Sequence, residues 1–132
     1  MEIKIYYEDT DCGGVVYYAN YLKYFERART EYLEMRGYSV VALMKQGIIF
    51  VVVHVEVDYC SPGRYGETLV VETGVGDVTR AALTFSHVVR EKMSGRVVVK
   101  GSARLAATNE NGKVTRLDGV MVAALQSAPH PS

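Results

Sequence analysis

A short stretch near the start of the chain combines residue types that suit chemistry on a carbonyl group. Asp9 and Asp11 stand two positions apart, and an aromatic run then opens a helical pattern. Gly13 and Gly14, which lie between the aspartates and the aromatic run, let the backbone turn tightly and approach a ligand closely. A helix start leaves N–H groups unpaired. A carboxylate and several backbone donors could therefore share one small volume, where the donors would hold a developing oxyanion.

Length and charge limit the classes of protein to consider. The chain has 132 residues, which predicts one domain over 1–132. Its 15 basic and 15 acidic residues cancel, which argues against binding nucleic acid or anionic membranes through bulk charge. No apolar run approaches the roughly 18 residues that span a bilayer, and no secretory leader is visible. We expect a cytoplasmic protein without membrane insertion, with Cys12 and Cys60 as reduced thiols.

Hydrophobic periodicity predicts one strand, a long helix and then mainly strands. Residues 2–8 alternate as a strand, and residues 9–14 are typical of a turn. From about 18 to 36, apolar residues recur every three or four positions, which predicts a helix with Phe25, Ala28 and Tyr32 in the core, and Gly37 marks the end of this helix. The same reasoning predicts a short helix at 40–45 and strands at 48–59, 66–78, 81–91 and 96–108.

The end of the chain allows two interpretations. Residues 117–126 fit either a short helix capped by Asp118 or a sixth strand, and 128–132 resembles a frayed tail. Long adjacent strands favour an antiparallel sheet. The wide apolar stripe of the long helix needs a cover. The fold class predicted is therefore α+β, with the helix buried against the sheet.

Four motifs give the chain a resemblance to a known family. The stretches 9–17, 20–21 and 25–31 resemble the hotdog-fold acyl-CoA thioesterases, in the subgroup of 4-hydroxybenzoyl-CoA thioesterase and the Tol–Pal-associated thioesterase. The stretch 59–67 is similar to the same subgroup. The resemblance implies a hotdog fold, in which a curved antiparallel sheet of five to six strands wraps a long central helix. It also implies a homodimer or a dimer of dimers, with active sites at the dimer interface.

The resemblance also assigns roles to individual residues. Asp11 matches the catalytic aspartate, which acts either as a nucleophile or as a general base toward water. Taken alone, Asp11 would be interpreted as a turn cap. Gly14 and the backbone N–H of Tyr18 match the oxyanion site, although many members carry His where this chain has Tyr18. The substrate-binding assignments are Tyr17, Asn20, Arg64 and Arg116, with Asn20 also capping the helix entry and the arginines meeting the CoA phosphates.

The activity that the resemblance implies is hydrolysis of an acyl-CoA thioester to a free carboxylic acid and CoA. CoA is then part of the substrate, and no metal or other cofactor is implied. One alternative is a thioesterase for acyl carrier protein, although the balanced charge offers no broad basic surface for an acidic carrier. Another is a non-catalytic acyl-CoA binding module, against which the presence of Asp11 argues. The sequence contains no G-x-S-x-G elbow, so it gives no indication of a serine hydrolase.

Overall fold

The fold was analysed in a computed structural model that describes residues 1–11 and 13–126. Cys12 and the tail predicted at 128–132 lie outside the described residues. The sheet has five antiparallel strands in the order β1-β3-β4-β5-β2. The elements are β1 (Glu2–Lys4), α1 (Asn20–Met35), α2 (Val40–Lys45), β2 (Ile49–Tyr59), β3 (Thr68–Val78), β4 (Ala82–Glu91), β5 (Val97–Thr108) and α3 (Gly119–Gln126). The predicted α+β class is confirmed.

The long helix α1 is held by one apolar face against the concave side of the sheet. Phe25, Ala28 and Tyr32 are almost fully buried, as their spacing predicted. Phe25 lies so close to β5 that a Cβ added to Gly101 would be 2.6 Å from its ring. The helix ends after Met35, where Gly37 takes a φ of +87°. This packing fixes the helix start relative to the sheet, and the candidate site lies there.

Two boundaries differ from the predictions, and one open choice is settled. The first strand ends at Lys4 rather than residue 8, because the carboxylate of Asp9 accepts from the N–H of Tyr6 at 2.9 Å and bends Tyr7–Asp9 into a 3₁₀ turn. The helix α1 starts at Asn20, two residues later than expected. The last element is a helix, and Asp118 caps it through the N–H of Val120 at 2.8 Å.

Strand β2 forms a long sheet edge with little cover. It has 11 residues and pairs with β5 on one side, whereas the opposite edge strand β1 has 3. Apolar side chains on this edge are exposed, including Val51, Val52, Val53 and Val55. An exposed apolar edge strand is a template for pairing with another chain. No helix within residues 1–11 and 13–126 is long and apolar enough to cross a membrane.

His87 on β4 is a titratable residue inside the core. Its ring is 1% exposed and stacks on Phe25 with centroids 4.5 Å apart. Nδ1 lies 3.1 Å from Oγ1 of Thr73, while Nε2 has no hydrogen-bond partner among the described residues. Burial, and secondarily the positive charge of Arg29, lowers the pKa of His87 to about 3. The imidazole is therefore neutral in the folded protein at neutral pH.

Candidate active site

The acidic stretch and the helix start are joined by a small hairpin. Thr10 pairs with Val16, so that the N–H of Asp11 donates to the carbonyl of Val15 at 3.0 Å. The hairpin closes at Gly14, whose N–H donates to the carbonyl of Asp11 at 3.1 Å. Gly14 has a φ of +75°, which most other residues would adopt only with strain. The hairpin therefore requires glycine at position 14 because of its backbone conformation.

The Asp11 carboxylate is exposed and has one oxygen engaged. Oδ1 accepts from the N–H of Gly13 at 2.9 Å, which is the turn-capping arrangement typical of aspartate. Oδ2 has no hydrogen-bond partner in the part of the chain that the structure describes. A side chain on Gly13 would place its Cβ 3.3 Å from Oδ1. Asp11 therefore caps the turn and still presents a free carboxylate oxygen to solvent.

Asp9 has a structural role. Its carboxylate holds the N–H of Tyr6, and its carbonyl accepts from the N–H of Tyr17 at 3.0 Å. The same carbonyl accepts from the amide Nδ2 of Asn20 at 2.9 Å. Burial, followed by the negative charge of Asp9, raises the pKa of Tyr24. The backbone carbonyl of Asp9 ties the helix start to the hairpin, and its carboxylate is engaged by the N–H of Tyr6.

The segment that leads into α1 has free backbone donors. The N–H groups of Tyr18 and Ala19 make no hydrogen bond within residues 1–11 and 13–126. Ala19 occupies the N-cap position and Asn20 is the first helical residue, so the expected capping role of Asn20 is wrong. The Asn20 side chain fixes the entry angle by reaching back to Asp9 instead. A helix start with unpaired donors favours a bound negative charge.

A cluster of tyrosines surrounds these donors. The rings of Tyr17 and Tyr18 lie 4.8 Å apart, and both are exposed. Tyr59, at the end of β2, meets Tyr18 edge-on at 6.2 Å and Tyr21 at 5.9 Å. The Tyr59 hydroxyl donates to the carbonyl of Tyr18 at 3.3 Å. Tyr59 was predicted only as the start of a motif, because a separation of 41 positions in sequence from Tyr18 gives no sign of contact.

The second motif packs against the hairpin from the other side. The carbonyl of Gly63 accepts from Val16 N–H at 2.8 Å, and Arg64 pairs with Val15. Gly63 is required sterically, because an added Cβ would lie 2.9 Å from the hydroxyl of Tyr21. The structure therefore brings the backbone of Arg64 to the same hairpin as Asp11.

Arg96 braces the second motif and was not predicted from the sequence. Its guanidinium donates to Glu67 at 2.6 Å, to the Pro62 carbonyl at 2.7 Å and to Ser61 at 3.0 Å. Glu67 in turn accepts from the N–H of Arg64 at 2.7 Å. The partners lie about 30 residues away in sequence, so no local pattern could identify them. Through this network the start of β5 holds the second motif in place.

Basic side chains of the described residues that could meet CoA phosphates include engaged groups and free groups. Arg90 and Lys92 form ion pairs with Glu72 and Glu2, and Arg80 donates to a carbonyl of the last loop. The side chains of Arg64 and Arg116 are exposed and have no partner among the described residues. Of these two, Arg64 lies beside the hairpin that carries Asp11, through its pairing with Val15.

Arg116 lies at the opposite end of the sheet from Asp11. Its neighbour Thr115 donates to Ala107 on β5, whereas the second motif binds near Val98 on the same strand. That part of β5 is about 30 Å long at about 3.3 Å per residue. One chain therefore does not gather Arg116 with the other predicted site residues.

A cavity of about 450 Å³ begins one helical turn beyond the free donors. It lies between α1 and the edge strand β2, and apolar side chains such as Leu22, Phe25 and Val55 line it. Glu26 and Arg29 stand at the same wall of the helix. Among the described residues, no group of three or more His, Cys, Asp or Glu side chains gathers as a metal site. The chemistry available here is that of a carboxylate, backbone donors and an apolar cavity.

A long helix wrapped by a curved antiparallel sheet, with a carboxylate turn at the helix start, defines a hotdog-fold protein. The sequence profile described as Thioesterase superfamily matches residues 13–98. The chain belongs to this superfamily.

Individual relatives agree with this assignment. The acyl-CoA thioesterase YbgC of Haemophilus influenzae is 46% identical over 86 residues, which cover 64% of this chain and 63% of that protein. The chain thus matches just under two thirds of that relative's length. The solved DHNA-CoA thioesterase of Staphylococcus aureus is 33% identical with a TM-score of 0.84, covering 89% of this chain and 79% of that one. A probable thioesterase from Bartonella henselae is 30% identical with a TM-score of 0.82, covering 89% of this chain and 97% of that one.

Proposed function

We propose that this protein hydrolyses an acyl-CoA thioester to a carboxylic acid and CoA. The observation that carries the proposal is the shared hairpin, which presents a free oxygen of Asp11 beside a helix start with unpaired N–H groups. The superfamily and the printed activity of the Haemophilus relative support the same reaction. No metal or redox cofactor is needed, because a carboxylate and oxyanion donors suffice for acyl transfer. A cytoplasmic location stays a prediction.

Two routes use the same residues. In the first, an Asp11 oxygen attacks the thioester carbon, the C–S bond breaks, CoA leaves as thiolate, and water then cleaves the mixed anhydride. In the second, Asp11 takes a proton from water, and the hydroxide formed displaces the CoA thiolate directly. Both routes place negative charge on the carbonyl oxygen. The N–H of Tyr18 would stabilise that charge, and Gly14 allows the backbone shape that opens the site.

The two ends of the substrate fit different surfaces. The apolar cavity beside Leu22 would take the acyl group, since it starts one turn from the Tyr18 donor. Tyr17 and Asn20 flank the helix start and would contact the thioester region. Arg64, which stands beside the hairpin, would meet a CoA phosphate. Antiparallel pairing of two β2 edges would bring the partner's end of the sheet, and with it a second Arg116, toward Asp11.

The experiment that tests the proposal measures thiol release from a panel of acyl-CoAs and from matching acyl carrier protein thioesters. We expect turnover of at least one acyl-CoA at a rate that exceeds the uncatalysed reaction. Turnover confined to the carrier protein substrates would favour the alternative thioesterase. Tight acyl-CoA binding without thiol release would favour a binding module and would contradict the proposal.

The uncovered β2 edge predicts a homodimer or a dimer of dimers. We expect light scattering at micromolar protein to give at least twice the chain mass of 14.6 kDa. Val53→Lys places a charge on the exposed edge and should yield monomers. Val41→Lys is the control, because Val41 is equally exposed but lies on α2. A wild-type protein that scatters only as a monomer would contradict the prediction.

Replacing the two free arginines should weaken CoA binding rather than chemistry. Arg64→Ala and Arg116→Ala should each raise KM for acyl-CoA about 3- to 10-fold at similar kcat, because an exposed charge pair contributes about 1 kcal/mol. N-acetylcysteamine thioesters, which lack the nucleotide, should show no change in either constant. Lys45→Ala, at the exposed end of α2, is the matched charge-removal control. An equal loss of kcat/KM with acyl-CoA and with N-acetylcysteamine thioesters would show that the arginines are structural.

A further inference from the structure

The helix start carries a second free donor besides Tyr18. The N–H groups of Tyr18 and Ala19 are consecutive, and neither has an acceptor within the described chain. Each belongs to a peptide unit whose carbonyl is held. The Tyr17 carbonyl, in the unit that carries the Tyr18 N–H, accepts from the N–H of Asn20 at 2.9 Å. The Tyr18 carbonyl, in the unit that carries the Ala19 N–H, accepts from the Tyr59 hydroxyl at 3.3 Å.

The Tyr59 contact matters because little else holds that peptide. The other donor to the Tyr18 carbonyl is the N–H of Tyr21 at 3.4 Å, which is the longest backbone hydrogen bond of this turn. A peptide unit is planar, so a donor that fixes its carbonyl also fixes the direction of its N–H. A hydrogen bond to the carbonyl also polarises the N–H and strengthens the bond that it donates by about 10–30%.

Tyr59 is itself well placed to act as a fixed support. It is the last residue of β2, and the next residue, Cys60, donates its N–H to the Val98 carbonyl at 2.9 Å. Its ring is held between Tyr18 and Tyr21. The hydroxyl therefore approaches the helix start from the sheet rather than from a loop.

We propose that Tyr59 is a positioning residue that orients the Tyr18–Ala19 peptide, so that the N–H of Ala19 acts as a second donor to the oxyanion. The inference rests on the proposed thioesterase function and adds a residue and a donor to it. Tyr59 does not touch the reacting atoms. It acts through the peptide to which its hydroxyl donates, and its loss should leave substrate binding intact.

The test is Tyr59→Phe in the full chain, assayed with acetyl-CoA, butyryl-CoA and benzoyl-CoA. This change keeps the ring contacts and removes the hydroxyl. We expect kcat on the best substrate to fall about 10-fold, less than the 10²–10³-fold lost when an oxyanion donor is removed outright. The affinity for an S-butyl-CoA thioether should stay at the wild-type value, because the thioether has no carbonyl oxygen to stabilise. KM and the melting temperature should also stay at wild-type values.

A second measurement reports on the peptide without turnover. In ¹⁵N-labelled protein, the Ala19 amide resonance should shift in Tyr59→Phe, because its own peptide carbonyl has lost a donor. Tyr38→Phe is the matched control, since Tyr38 is remote from the hairpin and its hydroxyl makes no hydrogen bond within the described residues. It should leave both kcat and the Ala19 resonance unchanged.

The outcomes separate the inference from the function on which it rests. If the wild type hydrolyses acyl-CoA and Tyr59→Phe retains its full kcat, the positioning role is wrong and the proposed function stands. A lower melting temperature with equal losses of kcat and thioether affinity would show that Tyr59 only packs the site. If the wild type releases no thiol from any substrate, the proposed function fails, and the positioning role fails with it.

Discussion

Replacement of Asp11 by Asn should lower kcat for acyl-CoA hydrolysis by about 10²- to 10⁴-fold, the range for loss of a general base. The substitution should affect catalysis and not the fold, because the turn uses only one oxygen of the carboxylate. The amide oxygen of the new side chain can still accept from the N–H of Gly13, as Oδ1 of Asp11 does now. The turn should therefore persist, with the melting temperature and the oligomeric state close to those of the wild type. Only the charge and the nucleophilic oxygen are lost.

The measurement combines kcat, thermal melting and affinity for an S-alkyl-CoA thioether on one preparation of Asp11→Asn. Asp77→Asn is the control, since it makes the same chemical change at an exposed aspartate of β3. If Asp11→Asn keeps more than about a tenth of the wild-type kcat, the loss is smaller than a general base requires. Asp11 would then be a turn cap without a catalytic role.

The second large effect concerns stability in mild acid. His87 has a folded-state pKa of about 3, whereas an unfolded histidine titrates near 6.5. Between these values the unfolded chain binds a proton that the folded protein does not. Stability from the neutral buried imidazole is therefore complete above pH 6.5 and falls as the pH drops. From pH 6.5 to 5 the loss should be about 2 kcal/mol, at about 1.4 kcal/mol per pH unit.

Urea unfolding at pH 7.5, 6.5, 5.5 and 5.0 checks this, because carboxylates titrate mainly below that window. In His87→Asn, the side chain can still bond to Thr73 but carries no titrating proton, so the slope between pH 6.5 and 5 should flatten. Its stability at pH 7.5 should be lower, since the stacking on Phe25 is lost. An unchanged slope in His87→Asn would contradict the assigned cause.

The order and type of the elements followed from periodicity, most directly for α1 and β4, each of which buries one regular face. Phe25, Ala28 and Tyr32 were identified as core because α1 meets the sheet along one stripe. The first strand was predicted too long, because alternation over residues 2–8 cannot reveal that the carboxylate of Asp9 will bend the chain. Here a side-chain hydrogen bond ended the strand that the alternation predicted.

The grouping of the candidate residues was predictable where they are local in sequence, and their catalytic roles stay a prediction. Asp11, Gly14 and the donor at Tyr18 lie within eight residues, and the hairpin joins them directly. Tyr59 and Arg96 were beyond prediction, since their roles arise from contacts across 41 residues for Tyr59 and 29 to 35 for Arg96. A sequence shows which residue types are present. Which of them meet depends on how the sheet curves around the helix.

The unequal edges of the sheet have a consequence for how assembly stops. An edge-to-edge pair related by a twofold axis uses the same strand from each copy. With β2 consumed on both copies, the outer edges of the joined sheet are the two β1 strands, each of 3 residues. Strands so short offer few backbone groups to a further chain. If the predicted dimer forms through β2, its long apolar edge is used up on both copies, and no long edge remains to which a further chain could add.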